Sequence, residues 1–208
     1  NTTAGFSIVQ YTGTGSAATV GHGLSSAPEL IILKRLNGVQ DWLVGNTASG
    51  WTKHLFLNGT DALATASTTW NDTAPTSSVF SVGTANSSNK SGDPFIGYVW
   101  HGVDGFSKFG SYTGNGNADG PFVYTGFKPA WVMYKQINTT NYWAIFDSKR
   151  SPHNVMQNRL APNYTNVEDV STANQQDFLS NGFKLRGTDT ATNQSGGTYI
   201  YMAFAEHP

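Results

Sequence analysis

Apolar and polar residues alternate at every second position over short runs throughout the chain, which is the period of a half-buried β-strand. "LIILKRL" from Leu30 is a mostly apolar run, "KHLFLNGT" from Lys53 alternates Leu55 and Leu57 with polar neighbours, and "VFSVG" and "FIGYVW" are rich in β-branched and aromatic residues. Gly and Asn, which supply the positive φ of tight turns, punctuate these runs at Asn37-Gly38, Asn58-Gly59 and "NGNADG" from Asn115. Pro28, Pro94 and Pro129 stand at strand starts, where a missing N–H breaks no ladder bond. No stretch of ten residues carries a sustained helical period, although "NVEDVSTANQQDFLS" from Asn166 fits a short helix.

The same pattern is written twice. Gly5-Phe6-Ser7 returns as Gly105-Phe106-Ser107, and Tyr11-Thr12-Gly13 with Gly15 returns as Tyr112-Thr113-Gly114 with Gly116. Pro28 and "ELIILK" answer to Pro129 and "AWVMYK", and "DWLVGN" around Trp42 answers to "YWAIFD" around Trp143. After a divergent middle, "VFSVGT" from Val79 matches "FKLRGT" from Phe183, and "SGDPFIGYVW" from Ser91 matches "SGGTYIYMAF" from Ser195. The halves, 1–104 and 105–208, are therefore expected to be tandem-duplicated units, too few for a solenoid. About seven short strands per unit with little helix predict an all-β chain of two antiparallel, jelly-roll-like β-sandwiches, either separate domains or halves related by a pseudo-twofold axis. The repeated Tyr-Thr-Gly-x-Gly phrase is expected to be a hairpin turn; a phosphate loop would need a helix to follow, and "SAATVGHGL" and "GPFVYTGF" follow instead.

Composition narrows the function. Charged residues make up 12%, against about 25% in an average domain, and polarity comes from amides and hydroxyls. With 12 Lys and Arg against 13 Asp and Glu there is no basic stripe, so nucleic acid is not an expected partner. The 208 residues include no cysteine, which leaves no disulfide framework or Cys-based zinc site. No apolar run reaches membrane-span length and no signal-peptide pattern opens the chain, so membrane insertion is not expected; Asn1 in place of Met suggests a processed chain or a piece of a longer one. Sequons such as Asn58-Gly59-Thr60 are read as chance products of an Asn/Ser/Thr-rich chain.

Catalytic constellations are sparse. The glutamates are Glu29, Glu168 and Glu206, none in an alternating acidic strand, and Asp147 at the end of "WAIFD" has Asn46 as its counterpart, which points to a turn cap. His22, His54, His101, His153 and His207 are each isolated, with no metal-binding spacing, and no Gly-x-Ser-x-Gly elbow is present. Asp61, Asn71, Asp72 and Asp93 offer oxygen atoms but lack the spacing of a calcium loop, so no metal and no cofactor are assigned. Binding is the better expectation, because aromatics reach 13% with six Trp. Trp42 and Trp143 are assigned to the core. Trp51, Trp70 and Tyr164, in polar turn-like contexts, are the candidates for exposed contacts, with Asn71 and Asp72 as neighbouring polar groups.

"GFSIVQYTGTGSAATVGHGLSSAPELIILKR", "FSKFGSYTGNGNADGPFVYTGFKPAWVMYK", "DFLSNGFKL" and "SGGTYIYMAFAE" together resemble, over essentially the whole chain, a duplicated domain of unknown function. That domain recurs in large virion proteins of bacteriophages, mainly those of marine bacteria, commonly near the C-terminal end of tail fibre or tail-associated proteins. The resemblance carries no catalytic residues. It implies a β-rich module on the outside of a virion, trimeric as fibre parts usually are, that touches other virion proteins and the host envelope. A non-enzymatic module for host attachment, binding a cell-surface glycan or another envelope receptor, is thus the leading expectation. The alternatives are a purely structural decoration or assembly part, and a polysaccharide-degrading enzyme of lectin-like fold.

Overall fold

The structure is a computed structural model and describes residues 1–207. The described residues form an all-β chain with three helices of four residues each and several antiparallel sheets, none closed into a barrel. The chain divides into two compact units: residues 1–59 with 63–102, and residues 60–62 with Val103 onward.

In the first unit, β1 (Phe6–Thr12), β8 (Pro94–Trp100), β3 (Leu30–Arg35), β4 (Leu43–Asn46), β5 (Lys53–Phe56) and β6 (Ala64–Thr65) form one sheet in that order. A second sheet pairs β2 (Ala18–Gly21) with β7 (Val79–Val82). Two single-turn helices, α1 (Ser67–Trp70) and α2 (Asn86–Asn89), flank β7 in the chain. The core lies between the sheets, where Ile31, Leu33, Leu43 and Val99 of the larger sheet pack with Phe80 and Val82 of the smaller one and with Trp51 and Trp70. This is a sandwich-like arrangement, in which each sheet buries one face against the other.

The second unit uses the same order: β9 (Ser107–Thr113), β15 (Thr198–Phe204), β11 (Trp131–Gln136) and β12 (Trp143–Asp147) form one sheet. The other holds β10 (Phe122–Tyr124), β14 (Gly182–Leu185) and β13 (Gln176–Leu179), with α3 (Thr190–Asn193) before β15. Its core gathers Val132, Tyr134, Phe146, Phe178, Phe183 and Tyr201. Within Asn166–Ser180 the expected helix shrinks to a 3-10 turn at Thr172–Asn174, because the residues that follow pair as β13.

Side-chain sizes compensate across the strands. Val9 faces Gly97 in the first unit, and Gly110 faces Tyr201 at the matching pair of the second. A Cβ on Gly97 would crowd Leu33, and one on Gly110 would lie 2.9 Å from the Tyr201 ring. The next pair along is aromatic in both: Tyr11 stacks on Phe95 at 5.1 Å and Tyr112 on Tyr199 at 4.9 Å.

The Tyr-Thr-Gly-x-Gly phrase is not a hairpin turn. β1 pairs with β8 and β2 with β7, so the phrase carries the chain from one sheet to the other. It is pinned on a short helix. Asn89 of α2 accepts from Thr14 N at 2.7 Å and donates to Gly83 O and Ser16 O, while Gly15 N donates to Asn89 O at 2.8 Å. In the second unit Asn193 accepts from Asn115 N and donates to Gly187 O and Asn117 O, and Gly116 N donates to Asn193 O. Tyr11 and Tyr112 complete the latch by donating to Ser88 O and Thr192 O. The two glycines serve different ends. Gly15 and Gly116 have φ of 73° and 67°, whereas Gly13 and Gly114 pass so near the backbone carbonyls of Lys90 and Gln194 that a Cβ would come closer than 3.0 Å.

Candidate functional site

The expected exposure of two tryptophans is corrected. Trp51 is 7% and Trp70 0% exposed, and their rings meet edge to face at 5.4 Å. Gly45 on β4 makes the room: a Cβ there would lie within 2.7 Å of both indoles. Phe146 occupies the matching position in the second unit and fills the space itself. Polar flanking residues hid this, because α1 turns Trp70 inward while Ser67 and Thr68 stay exposed. Trp143 is buried on β12, but Trp42 precedes β4 and is only half-buried, stacked beside Tyr98 and under the Lys34 ammonium.

Asn71 and Asp72 are exposed in the turn after α1, with φ of 54° and 46°, a conformation side chains other than glycine rarely hold. Trp51 reaches only the wall of a first-unit cleft that Pro75 also lines. Asp93 is taken up by Arg35, Lys90 and Asn37, and the hydrogen bond donated by the Asn37 side-chain amide holds its carboxyl below the usual range. Among the described residues no three His, Asp or Glu side chains converge in a way that could hold a metal ion.

Tyr164 is the expected residue that the structure leaves open, at 52% exposure. It stands on the rim of a cleft of about 480 Å³ in the second unit, built from the divergent stretch after β12. The floor is Arg159, a buried cation. Its guanidinium pairs with Asp169 at 2.5 Å and Asp189 at 3.0 Å, donates to Asn174 Oδ1 at 2.6 Å, and lies 4.5 Å from the centre of the Tyr142 ring. Desolvation of a cation is offset when carboxylates and an aromatic face surround it, and all three are present.

The walls are fixed by backbone pairing. Arg159 and Asp169 exchange backbone N–H···O hydrogen bonds at 2.8 and 3.0 Å, Ile145 and Leu160 do the same, and Asn163 Oδ1 accepts from Trp143 N to tie the Tyr164 turn to β12. Asp189 also caps α3 by accepting from Ala191 N at 2.7 Å, so the floor is joined to the helix that holds the crossover loop. Tyr142 and Tyr164 face each other at 6.0 Å and 55°. Burial, followed by the charge of Asp189, pushes the Tyr142 phenol up to about 12. Burial works against the Asp169 carboxylate, but the Asn174 side chain, the Ser171 amide and Arg159 outweigh it and hold the group below its ordinary value. Glu168 sits between Arg150, at 3.2 Å, and the Asn158 amide.

The cleft therefore offers an open aromatic ring, a second ring turned against it, carboxylate acceptors of fixed orientation and the exposed Asn166. Such a surface suits a ligand with an apolar face and hydroxyl donors. Sequence reading reached Tyr164 but missed Tyr142, Arg159, Asp169 and Asp189, because pairing between distant loops assembles them; the one local signal was Tyr142 beside the strand residue Trp143.

Neither a curated protein nor a solved structure matches the chain. A family model described as "Domain of unknown function (DUF7483)" matches residues 1–208, and the chain belongs to that family.

Proposed function

We propose that this chain is a non-enzymatic module on the virion surface of a bacteriophage, part of a tail fibre or tail-associated protein, that binds a host cell-surface glycan through the Tyr142–Tyr164 cleft. The observation that carries the reading is the half-exposed Tyr164 ring beside an ordered edge of carboxylates and amides. The resemblance to virion proteins supplies the setting, and a trimeric assembly with other virion proteins belongs to the same proposal. The carboxylates of the cleft support binding over hydrolysis. Of the two that line it, Asp169 is ion-paired with Arg159 and Glu168 with Arg150, whereas a glycosidase needs one acid kept protonated.

The reading includes descent of both units from one copied ancestor. Its support is the matched strand order, the stacked pairs at Tyr11 and Tyr112, and the two Asn latches. In each unit the first strand pairs with the last and the second with the penultimate, the nesting of a jelly roll, although β4 and β12 stay beside β3 and β11.

An array of envelope polysaccharides tests the binding. Tyr164→Ala should weaken the glycan bound by the native chain roughly tenfold, the worth of one aromatic contact. No binding to any polysaccharide, or binding indifferent to Tyr164, sinks the proposal, and release of reducing ends would revive the enzyme. A structural virion role is the second reading, favoured by exposed Val167 and Val170 along the same cleft. A particle in which a neighbouring subunit covers that ridge would decide for it.

A further inference from the structure

The turns that enter β3 and β11 share one backbone frame. Glu29 N donates to Trp100 O at 2.8 Å and Thr47 N to Glu29 O at 2.9 Å; Ala130 N donates to Phe204 O at 2.7 Å and Ser148 N to Ala130 O at 2.8 Å. Beside each frame lies a cleft, of about 460 Å³ in the first unit and about 290 Å³ in the second. Ala27 before Pro28 and Thr47 after β4 line the first; Lys128 before Pro129 and Ser148 after β12 line the second.

The charge is reversed between them. The first cleft carries Glu29, whose Oε2 accepts from Gly102 N at 2.5 Å. The second has Ala130 at that point of the frame and Lys128 where the first has Ala27. Lys128 and His153 are exposed side chains lining it, and no carboxylate does. Glu206, the acid that feels the Lys128 charge, is ion-paired with Lys149. The His153 loop is held in place, since Asn154 accepts from Phe178 N and donates to Phe178 O, both at 3.0 Å. Ser151 on the same loop is buried and donates to Asn158 at 2.8 Å.

We propose that the second-unit cleft binds the anionic substituent of an acidic sugar, a carboxylate, sulfate or phosphate, with Lys128 as the charge and Ser148 and His153 as hydrogen-bond donors. This rests on the glycan reading and names the class of glycan. An ammonium beside hydroxyl and imidazole donors, with an apolar floor of Met156 and Phe178, favours an anion over a neutral hydroxyl. The cleft lies apart from the Tyr142–Tyr164 cleft in its lining, so the two would read different parts of one polysaccharide.

Titration of the whole chain with sulfate, phosphate and glucuronate, each followed by amide and imidazole NMR shifts, tests it. The expected result is saturable shifts at Lys128, Ser148 and His153 with at least one of the three, weakened by sodium chloride. The anion that saturates identifies the substituent. Lys128→Glu should weaken binding at least tenfold, and Ala130→Glu, which restores the acid that the first unit carries at that point of the frame, should weaken it too. Unchanged amide spectra elsewhere confirm that both variants fold, and Tyr164→Ala should bind the anion as the native chain does. Linear or scattered shifts with all three anions, or saturation that survives both variants, overturns the inference. Glycan binding that is indifferent to Tyr164→Ala, with the anion titration intact, would instead overturn the Tyr164 reading alone.

Discussion

Val9 opposite Gly97 and Gly110 opposite Tyr201 fill one position of the sandwich with the large residue on opposite strands. A core at crystal-like density tolerates the exchange only when both members change together. Gly110→Val should therefore destabilise the second unit by about 2 kcal/mol through overpacking against Tyr201. Tyr201→Gly should leave a cavity, and the double variant should be more stable than the sum of the two predicts. A double-mutant cycle on denaturant midpoints reads the coupling, and simple additivity would refute it. Arg159 makes a second claim at this scale: Arg159→Met should cost about 3 kcal/mol, because Asp169 and Asp189 then face each other without the cation. Neither claim was visible in the chain as written, since both depend on which strands and loops become neighbours.

The elements that matter most are the crossover loops and the single-turn helices they lean on. Asn193→Ala removes an acceptor for Asn115 N and the donors to Asn117 O and to the buried Gly187 O, and should cost about 2–3 kcal/mol. Asn89→Ala should match it in the first unit, while exposed Asn86, on the same helix as Asn89, should tolerate alanine; equal effects at Asn86 and Asn89 would count against the latch. Strand positions, proline entries and the Gly-rich phrases were legible in the sequence because they are set within a few residues: side-chain alternation, a locked φ and a positive φ are local demands. The hairpin reading of the phrase failed for the same reason. Local turn chemistry cannot tell a return to the same sheet from a passage to the other, and the partner Asn lies 75 residues away in the chain. Asp147 and Asn46 do cap the turns after β12 and β4, accepting from Arg150 N and Ser49 N, as their matched positions implied.

Over the whole molecule, stability should be bounded on both sides of neutral pH. Asp93, Asp119, Asp147, Asp169 and Glu206 all have lowered pKa values. The unfolded chain binds more protons than the folded one as pH falls below about 4, so that stability is present above this point and is lost on acidification. Lys135, buried with its ammonium on Gln136 O and Thr60 O, is lowered to about 8 by desolvation, against the opposing charge of Asp61. Between pH 8 and about 10 the unfolded state holds the proton that the folded lysine gives up, so stability should rise there. Above about 10 it should fall, because Tyr11, Tyr112, Tyr134, Tyr142 and Tyr199 keep protons that the unfolded phenols lose. Denaturant titrations across pH check the shape, and Lys135→Met should flatten the alkaline rise; a native chain with no such rise would disprove the role of Lys135.

The amino-acid order was enough for the all-β class, the strand positions and the paired motifs of the two halves, because alternation and turn preferences act between near neighbours. Burial of Trp51 and Trp70 on Gly45, the assembly of Tyr142, Arg159, Asp169 and Asp189, and the charge reversal of two like clefts were decided only on folding. Each joins residues far apart in the chain, and the free energy of desolvating an indole or a guanidinium depends on neighbours that tertiary packing supplies.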